Sequence, residues 1–381
     1  MTDPGSARWY RGDLHSHSTV SDGVLAPDAL LREAEREGLD FLAITDHNRW
    51  AYPWLPDGSS VLVIAGVEVT MPFGHFNVFA EDPAEPDWVC LLPDVDGETR
   101  EELQPGAARE LISAVRAGGL RSSINHPRIS PWAWWDPDLD VGLVSYLEVW
   151  NDPTWPENRQ ANPATLEMWT RWLNAGFRVT AVGGSDFHDP EPKRRLDGIR
   201  TDGHRVGVPR TYVLADACTP TAILRGLDAG RAYVTMGPTI ELLAAGPVGE
   251  VGIGDDLGMV EGSLEVEASC AGAGELRLEL VRNGRVASSA EGRGGAGLRT
   301  RFPVDPGEPG WFLVDVRDAG GEVCAFSNPI FHGARPEPSS ARYAAFVDMT
   351  PLGRRAEPMS LDEESDPWSG ERGLVAKEGE R

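Results

Sequence analysis

Short apolar runs alternate with amphipathic segments over the first 240 residues of the chain. The runs that predict β-strands lie at 9–15, 41–45, 61–66, 120–125, 144–150, 179–183 and 210–214. Segment 27–37 predicts a helix, because its apolar residues fall on one side and Gly38 follows as a stop signal. Asn162 and Pro163 predict the start of a later helix, as N-cap and first helical residue. The alternation predicts an α/β fold with a mainly parallel sheet or barrel.

The pattern changes near residue 239, where helical spacing ends and glycine becomes frequent. Short alternating stretches follow at 264–268, 276–282, 311–316 and 323–326. They predict a small, all-β, sandwich-like domain. We therefore expect a β/α barrel at 1–239, the β domain at 240–333, and an acidic tail rich in Pro, Glu and Ser at 334–381. Few apolar residues occur in the tail, so we expect it to be flexible.

Composition limits the classes of function. Acidic residues outnumber basic residues by 60 to 35, which gives a net charge of −25 at pH 7. Such a chain is unsuited to nucleic-acid duplexes and anionic membranes, which both attract clustered Lys and Arg. No signal-peptide pattern opens the chain, no run approaches the ~18 apolar residues of a membrane span, and the four cysteines are scattered. We expect a cytoplasmic, disulfide-free protein whose partner is a small molecule.

Six of the eight histidines stand at or just after the predicted strands of the first part. They are His15, His17, His47, His75, His126 and His188. A single His is usually structural, but six at one topological position favour a common site. In β/α barrels the carboxyl ends of the strands carry the active site.

Spacing by two residues places several candidate ligands on one face. His15 and His17 point the same way because side chains alternate along a strand. Asp186 and His188 follow the same rule. Asp22 precedes a glycine, so it either returns a carboxylate to this edge or serves as a turn residue.

Other candidates end or interrupt apolar runs. His47 follows Asp46, a carboxylate suited to orienting a neighbouring imidazole. Glu68 stands in Val-rich sequence, where a carboxylate is costly to bury unless it is paired or bound to a metal. We interpret Glu68 as a ligand that bridges two cations. His75 and Asn77 share a face, so either one is placed to point at the metals.

The remaining ligand candidates decide how many metals to expect. His126 ends a predicted strand, and Glu148 and Asn151 support ligands, bind substrate or are structural. Mixed nitrogen and oxygen ligands fit Zn²⁺, Mn²⁺ or Fe²⁺. The candidates are too many for one tetrahedral ion, which implies two or three divalent metals and a hydrolytic reaction.

Taken in chain order, these motifs resemble those of the PHP (polymerase and histidinol phosphatase) superfamily over residues 8–240. The motifs are His15-x-His17, Asp22, Asp46-His47-Asn48, Glu68, His75, His126 and Asp186-x-His188. The resemblance implies a distorted seven-stranded β/α barrel with a two- or three-metal site that hydrolyses phosphate esters. The segment Gly74-His75-Phe76-Asn77 and the later Phe326-Ser327-Asn328-Pro329-Ile330 make the chain most similar to the carbaryl-hydrolase-like branch.

The resemblance also implies how the ligands are shared. One metal would be held by His15, His17, Glu68 and Asp186. A second would be held by Glu68, His126 and a His of the 68–80 segment. A third would be held by Asp22, His47 and His188. Many relatives have His in place of Asp22, and the alignment of 74–80 puts either His75 or Asn77 at the ligand position.

We interpret the chain first as a phosphoesterase in which a metal-bridging hydroxide attacks phosphorus. Catalytic roles are predicted for Glu68, Asp186 and His188. Substrate-binding roles are predicted for Arg128, Asn48 and Arg194, with Arg195 as an alternative. Arginine is suited to this role because it binds phosphate through two parallel hydrogen bonds.

Two other functions remain open at the level of sequence. The same metals would also serve the hydrolysis of a carbamate or carboxylic ester. In that case an aromatic pocket is expected from Trp50, Trp54, Trp132, Trp134, Trp135 and Trp155. The second alternative is a non-catalytic metal-binding module.

Overall fold

The first part of the chain is a mixed α/β structure in which most strands join one large sheet. The computed structural model describes residues 7–50, 58–71, 73–92, 106–130, 132–191, 203–246, 249–259, 264–304 and 309–348. Within these ranges, no helix has both the length and the apolar character needed to cross a membrane.

The helices and strands are distributed unevenly along the chain. The described elements of the first part are β1 (Arg8–Asp13), α1 (Pro27–Arg36), β2 (Phe41–Ile44), β3 (Leu62–Met71), β4 (Gly74–Ala80), α2 (Ala107–Ala117), β5 (Arg121–Ile124), β6 (Tyr146–Asn151), α3 (Asn158–Asn174), β7 (Thr180–Gly184), β8 (Arg210–Ala215), α4 (Pro220–Asp228) and β9 (Ala232–Thr235). The described elements of the second part are β10 (Thr239–Gly246), β11 (Gly249–Gly252), β12 (Leu264–Ala271), β13 (Glu275–Arg282), β14 (Arg285–Arg293), β15 (Leu298–Val304), β16 (Gly310–Asp318), β17 (Val323–Ser327) and β18 (Ile330–His332).

Two of the helices begin and end at local sequence signals. Helix α1 begins at Pro27, whose missing N–H costs nothing in the first turn, and is followed by Gly38 at φ 70°. Helix α4 begins at Pro220 after Thr219, whose side chain accepts a hydrogen bond from Ala222 N at 3.3 Å. Both helices were therefore predictable from their ends.

Helix α3 begins earlier than the sequence predicts. Its first residue is Asn158, so Asn162 is not the N-cap and Pro163 lies inside the helix. The Asn158 side chain donates to Asp152 O at 2.9 Å. The Asn162 amide donates to Asn151 O at 2.8 Å and accepts from Asn151 N at 3.1 Å. These tertiary bonds hold the added first turn and offset the helical bond that proline removes.

The strands of the first part run mostly in one direction. β1, β2 and β3 are parallel, and so are β5, β6 and β7. β4 lies between β3 and β5 and is antiparallel to both, because β3 and β4 form a hairpin. The mixed α/β class agrees with the sequence, while the distorted seven-stranded β/α barrel stays a prediction.

The carboxyl ends of β1 and β7 meet beyond the last residues of the two strands. Ser16 and Phe187 form a parallel bridge there. His17 N–H donates to Phe187 O at 2.9 Å. Asp186 N–H donates to His15 O, also at 2.9 Å. This bridge brings the two i, i+2 motifs of the sequence side by side.

The large sheet continues into the second part of the chain. β9 pairs antiparallel with β17, and the sheet then runs through β16 and β13 to β14. β10, β11, β12 and β15 form a separate four-stranded antiparallel sheet. Leu242 and Val266 of that sheet share an apolar core with Leu278 and Val314 of the large sheet. The limits at 239 and 333, and an independent β domain, stay predictions.

Residues 334–348 follow β18 and lie against the first part of the chain. Tyr343 is fully buried there. Arg128 Nη1 donates to Asp348 O at 2.7 Å. This stretch is therefore fixed by specific contacts, and the flexible acidic tail stays a prediction for residues 349–381, which lie outside the described residues.

Candidate metal centre

The structure gathers the predicted ligands at the carboxyl ends of the strands. Glu68 lies at the middle of the cluster and is fully buried. Around it stand His15, His17, Asp22, His47, His75, His126, Asp186 and His188. His15 and Asp186 are 171 positions apart in the chain, yet His15 Nε2 lies 3.2 Å from Asp186 Oδ1. Only the folding of the sheet brings these groups together.

The innermost group consists of His15, His17, Glu68 and Asp186. His15 Nε2 lies 3.1 Å from His17 Nε2, 3.3 Å from Glu68 Oε1 and 3.2 Å from Asp186 Oδ1. His17 Nε2 lies 3.3 Å from Glu68 Oε2 and 3.0 Å from Asp186 Oδ1. Ligand atoms bound tetrahedrally at about 2.0–2.1 Å to one zinc ion lie roughly 3.3–3.4 Å apart, slightly farther than most of these pairs. The four side chains therefore fit a single divalent cation.

Two further groups adjoin the first. His47, Glu68 and His75 form one of them, with His75 Nδ1 at 3.3 Å from Glu68 Oε1. His126 lies beside this group, with Nε2 at 3.4 Å from the same oxygen. Between the two sequence alternatives, His75 presents a nitrogen to Glu68. The Asn77 amide donates to Leu14 O at 3.1 Å.

The third group lies at the open edge of the cluster and consists of His17, Asp22, His47 and His188. Asp22 Oδ1 is 3.4 Å from His188 Nε2, 3.7 Å from His47 Nε2 and 3.9 Å from His17 Nδ1. These spacings are wider than those of the innermost group. Asp22 thus reaches the cluster rather than serving only as a turn residue.

Hydrogen bonds fix which imidazole nitrogen faces the cluster. His15 Nδ1 lies 2.9 Å from Glu148 Oε1, and His188 Nδ1 lies 2.7 Å from Asp186 O. Each Nδ1–H donates to an oxygen, so Nε2 is the nitrogen that faces the neighbouring ligands and would bind a cation once its proton is displaced. Glu148 Oε2 also accepts from His126 N at 2.9 Å. Among the roles that the sequence left open for Glu148, these contacts favour the support of the ligand candidates His15 and His126.

Charge within the cluster ionises Glu68 and keeps His17 neutral, and it holds on His15 a proton that a bound cation would displace. Burial lowers the pKa of His15, but the carboxylates around it, Asp186 first among them, outweigh burial and raise that pKa well above its ordinary value. Burial and two neighbouring imidazoles lower the pKa of His17 to about 3. Burial raises the pKa of Glu68, yet the imidazoles around it hold that pKa well below its ordinary value. A cation would satisfy the ionised Glu68 carboxylate and the neutral His17 together.

Backbone strain is concentrated at the same place. Among the described residues, four other than glycine have a positive φ, and three of these are Asn48 (52°), His126 (26°) and Asp186 (53°). Such angles cost about 1–3 kcal/mol each and persist only where surrounding bonds impose them. Asn48 N donates to Glu68 O at 2.8 Å, and His126 N donates to a buried carboxylate. The fold therefore holds these residues in strained positions beside the ligands.

Two predicted substrate residues have other contacts in the structure. The Asn48 amide donates to Thr70 O at 3.1 Å and accepts from Thr70 N at 2.8 Å, so it ties a loop to β3. Arg128 is buried and donates to Asp348 O, as described above. These contacts show what holds the two side chains in place, and their phosphate-binding roles stay predictions. Arg194 and Arg195 lie outside the described residues.

The tryptophans are divided between core and surface. Trp50 and Trp134 are buried, and each indole N–H donates to a backbone oxygen. These two do not line an open pocket. Trp132, Trp135 and Trp155 are partly exposed in the loops after β5 and β6. Trp54 lies outside the described residues.

Three carboxylates that support the site were not assigned these roles from sequence. Asp13 is fully buried and accepts from Ser185 Oγ at 2.5 Å and from Gly207 N at 2.7 Å, which ties β1 to β7. Asp46 accepts four bonds from Ser18 and Ser21, so it shapes the loop that carries Asp22 instead of orienting an imidazole. An acidic residue at or just after the end of a strand was the available signal for both.

The third supporting carboxylate is Asp152, which pairs with His204. Asp152 Oδ2 lies 2.6 Å from His204 Nε2, and His204 Nδ1 accepts from His188 N at 3.3 Å. Asn125 also belongs to the site, because its amide donates to Glu68 Oε1 at 2.7 Å. No spacing pattern in the sequence connects His204 with Asp152.

Comparison with known proteins gives partial similarities. No protein-family model matches the chain. It is 29% identical over 150 residues to the 3′,5′-nucleoside bisphosphate phosphatase of Chromobacterium violaceum, which covers 36% of this chain and 52% of that protein. It is 49% identical over 51 residues to the 5′-3′ exoribonuclease Rnm of Escherichia coli, covering 13% and 17%. The chain thus spans about half the length of the first relative.

Two solved structures are also similar. One is a two-domain protein of Bacteroides vulgatus described as containing a predicted PHP-like metal-dependent phosphoesterase. Its TM-score is 0.42 at 18% identity, with 85% of this chain and 95% of that chain covered. The other is an amidohydrolase of Chromobacterium violaceum, with a TM-score of 0.31 at 17% identity and coverage of 50% and 91%.

Proposed function

We propose that this chain is a metal-dependent phosphoesterase of the PHP superfamily. The observation that carries the proposal is the ring of imidazoles and carboxylates around the buried Glu68. The imidazole nitrogens of the innermost group lie 3.0–3.3 Å from its carboxylate oxygens, close to the spacing of ligands that share a cation. The ordered motifs of the sequence support the same family.

The three groups of ligands would hold two or three divalent ions, with Zn²⁺, Mn²⁺ or Fe²⁺ suited to the mixture of nitrogen and oxygen. Bound cations would act as Lewis acids and bring the pKa of a bound water near 7. Glu68 belongs to two of the groups and is placed to bridge them. His17 and His47 are likewise shared between groups.

Side-chain exposure indicates where a substrate would enter. Glu68 and His17 are fully buried, while Asp186, His188 and Asp22 are 19%, 24% and 37% exposed. The ester would therefore approach from the side of Asp186 and His188. We therefore assign Glu68 the role of holding the metals in place. Asp186 and His188 would contact the phosphoryl group.

Phosphate esters are proposed over other esters because of the similarity to a nucleoside bisphosphate phosphatase. That similarity extends over 36% of this chain and indicates the type of ester, not the individual substrate. A carbamate or carboxylic ester remains the alternative, and the following experiment separates the two.

The proposal is tested by elemental analysis of protein purified without chelator, followed by turnover of phenyl phosphate and phenyl N-methylcarbamate. We expect two or three equivalents of metal, hydrolysis of the phosphate ester, and loss of both in Asp186→Ala. The control is Asp216→Ala, since Asp216 is a largely exposed carboxylate in a surface ion pair with Arg225.

Two results would overturn the proposal. A protein that takes up no added Mn²⁺ or Zn²⁺ would show that the histidines are structural. Hydrolysis of the carbamate alone would replace the phosphoesterase with the alternative enzyme.

A further inference from the structure

Two partly exposed tryptophans meet between the loops that follow β5 and β6. Trp132 belongs to the loop after β5, which also carries the ligand candidate His126, and Trp155 belongs to the loop after β6, which begins after Asn151. Their ring centroids are 5.4 Å apart at an interplanar angle of 66°. The pair therefore joins a loop that carries His126 to a loop whose Asp152 pairs with His204.

The loop that carries Trp132 is firmly supported. Trp134 N donates to Pro127 O at 3.0 Å, and Trp135 N donates to Phe73 O at 2.8 Å. The Trp134 ring is buried against Phe76. Because its neighbours are fixed, Trp132 is presented on a rigid base, which lowers the entropy cost of binding a ligand.

The loop that carries Trp155 is joined to the open edge of the metal centre. Trp155 N donates to Asp152 O at 3.3 Å, and Asn158 N donates to Trp155 O at 3.0 Å. Asp152 in turn pairs with His204, whose Nδ1 accepts from the backbone of His188. Trp155 is therefore linked by two side chains to a residue at the entrance proposed for the substrate.

We propose that Trp132 and Trp155 form the binding surface for a planar aromatic leaving group. This inference rests on the proposed phosphoesterase function and names the substrate class, an aryl or heteroaryl phosphate ester. An apolar aromatic surface and a cluster of charged ligands suit the two different ends of such an ester. The phosphoryl group enters the cluster, and the ring packs on the indoles.

The reaction assigned to this substrate is an ordinary hydrolysis. Water forms a bond to phosphorus, the bond between phosphorus and the aryl oxygen breaks, and one proton of the water ends on that oxygen. The products are inorganic phosphate and a phenol or its heteroaryl equivalent. No oxidant, reductant or other co-reactant is required.

A purely structural role would give a different result. If the indoles only hold the two loops together, their removal would affect every ester equally, because the loops carry His126 and Asp152. A binding role affects aromatic esters selectively. The ratio of KM values for matched aromatic and aliphatic esters therefore separates the two roles.

The experiment compares phenyl phosphate with glycerol phosphate in the metal-loaded protein and in Trp132→Ala, Trp155→Ala and Trp155→Leu. We expect KM for phenyl phosphate to rise roughly tenfold in each variant, because each variant loses one aromatic stacking partner. KM for glycerol phosphate should stay within about twofold of the native value, because glycerol phosphate has no ring to pack on the indoles. Trp155→Leu fills much of the volume without an aromatic ring, so it controls for collapse of the loop.

Trp9→Ala is the matched control, because Trp9 packs on Tyr233 at the opposite end of β1. It should leave the ratio of the two KM values unchanged. Calorimetric titration with phenylphosphonate, which has no ester bond to hydrolyse, and with inorganic phosphate gives a second readout. The tryptophan variants should lose affinity for phenylphosphonate and keep affinity for inorganic phosphate.

The outcomes are distinct. Equal changes for both esters, or no change for either, would overturn the aromatic binding surface while leaving the phosphoesterase intact. Hydrolysis of neither ester by the native, metal-loaded protein would overturn the proposed function, and with it this inference.

Discussion

Glu148 Oε1 lies 2.9 Å from His15 Nδ1, while the other oxygen of the same carboxylate accepts from the backbone of His126. One buried side chain therefore orients an imidazole and also holds the strained backbone of a second ligand-bearing loop. Residues in this position commonly influence metal affinity almost as strongly as the ligands themselves.

We predict that Glu148→Gln lowers metal affinity roughly 10- to 100-fold, because the amide no longer supplies an anionic acceptor to His15. Competition with a chromogenic chelator measures the affinity. Glu167→Gln on the exposed side of α3 is the control and should have no effect. Native affinity in Glu148→Gln would contradict the orienting role of Glu148.

Gly184 approaches the same contact from β7. A Cβ at this position would lie 2.7 Å from Glu148 Oε1 and closer still to Cβ of His15. We predict that Gly184→Ala costs about 1–3 kcal/mol of unfolding free energy, because it forces these side chains apart. Metal affinity should fall as well.

Urea denaturation of the metal-free protein measures the stability effect of Gly184→Ala separately from metal binding. Gly295→Ala is the control, since a Cβ there meets no atom within 4 Å. If Gly184→Ala matched the control in both measurements, the close packing of β7 on His15 would be incorrect.

Asp315 gives a prediction of pH dependence outside the candidate metal centre. Burial raises its pKa to about 6, with Arg317 opposing and Glu279 adding to the shift. From about pH 4 to pH 6 the unfolded chain has released this proton while the folded chain retains it. The contribution of Asp315 to stability is therefore present at low pH and is lost as pH rises, by about 3 kcal/mol in total.

The measurement compares unfolding free energies of the native protein and Asp315→Asn at several values between pH 4 and pH 7. We expect the difference to shift in favour of Asp315→Asn as pH rises, because asparagine does not ionise. Parallel curves would show that Asp315 has an ordinary pKa.

Tyr343 tests the packing of residues 334–348. Its ring is fully buried, with the Trp172 centroid 6.1 Å away. We predict that Tyr343→Ala lowers the unfolding free energy by about 3–5 kcal/mol, as large-to-small changes of buried aromatic residues do. Tyr343→Phe keeps the ring and should change stability by less than about 1 kcal/mol. A stable Tyr343→Ala would show that this stretch is not packed in solution.

Local sequence determined the elements and the kinds of chemistry. Proline and threonine at helix starts, glycine at a helix end, and period-two histidine motifs are local signals, so α1, α4 and the ligand candidates could be predicted. The start of α3 could not, because Asn158 and Asn162 are held by residues of a neighbouring loop. The antiparallel direction of β4 likewise follows from its pairing with β3 and β5.

Tertiary structure alone decided which side chains meet. The parallel bridge between Ser16 and Phe187 sets the His15 and Asp186 motifs against each other, a relationship between residues far apart in the chain. The same folding engages Asn48 and Arg128 with backbone groups and pairs Asp152 with His204. Residue type and spacing indicate what a side chain is able to bind. Which partners reach it depends on how the strands are arranged, because contacts between distant segments form only when the sheet does.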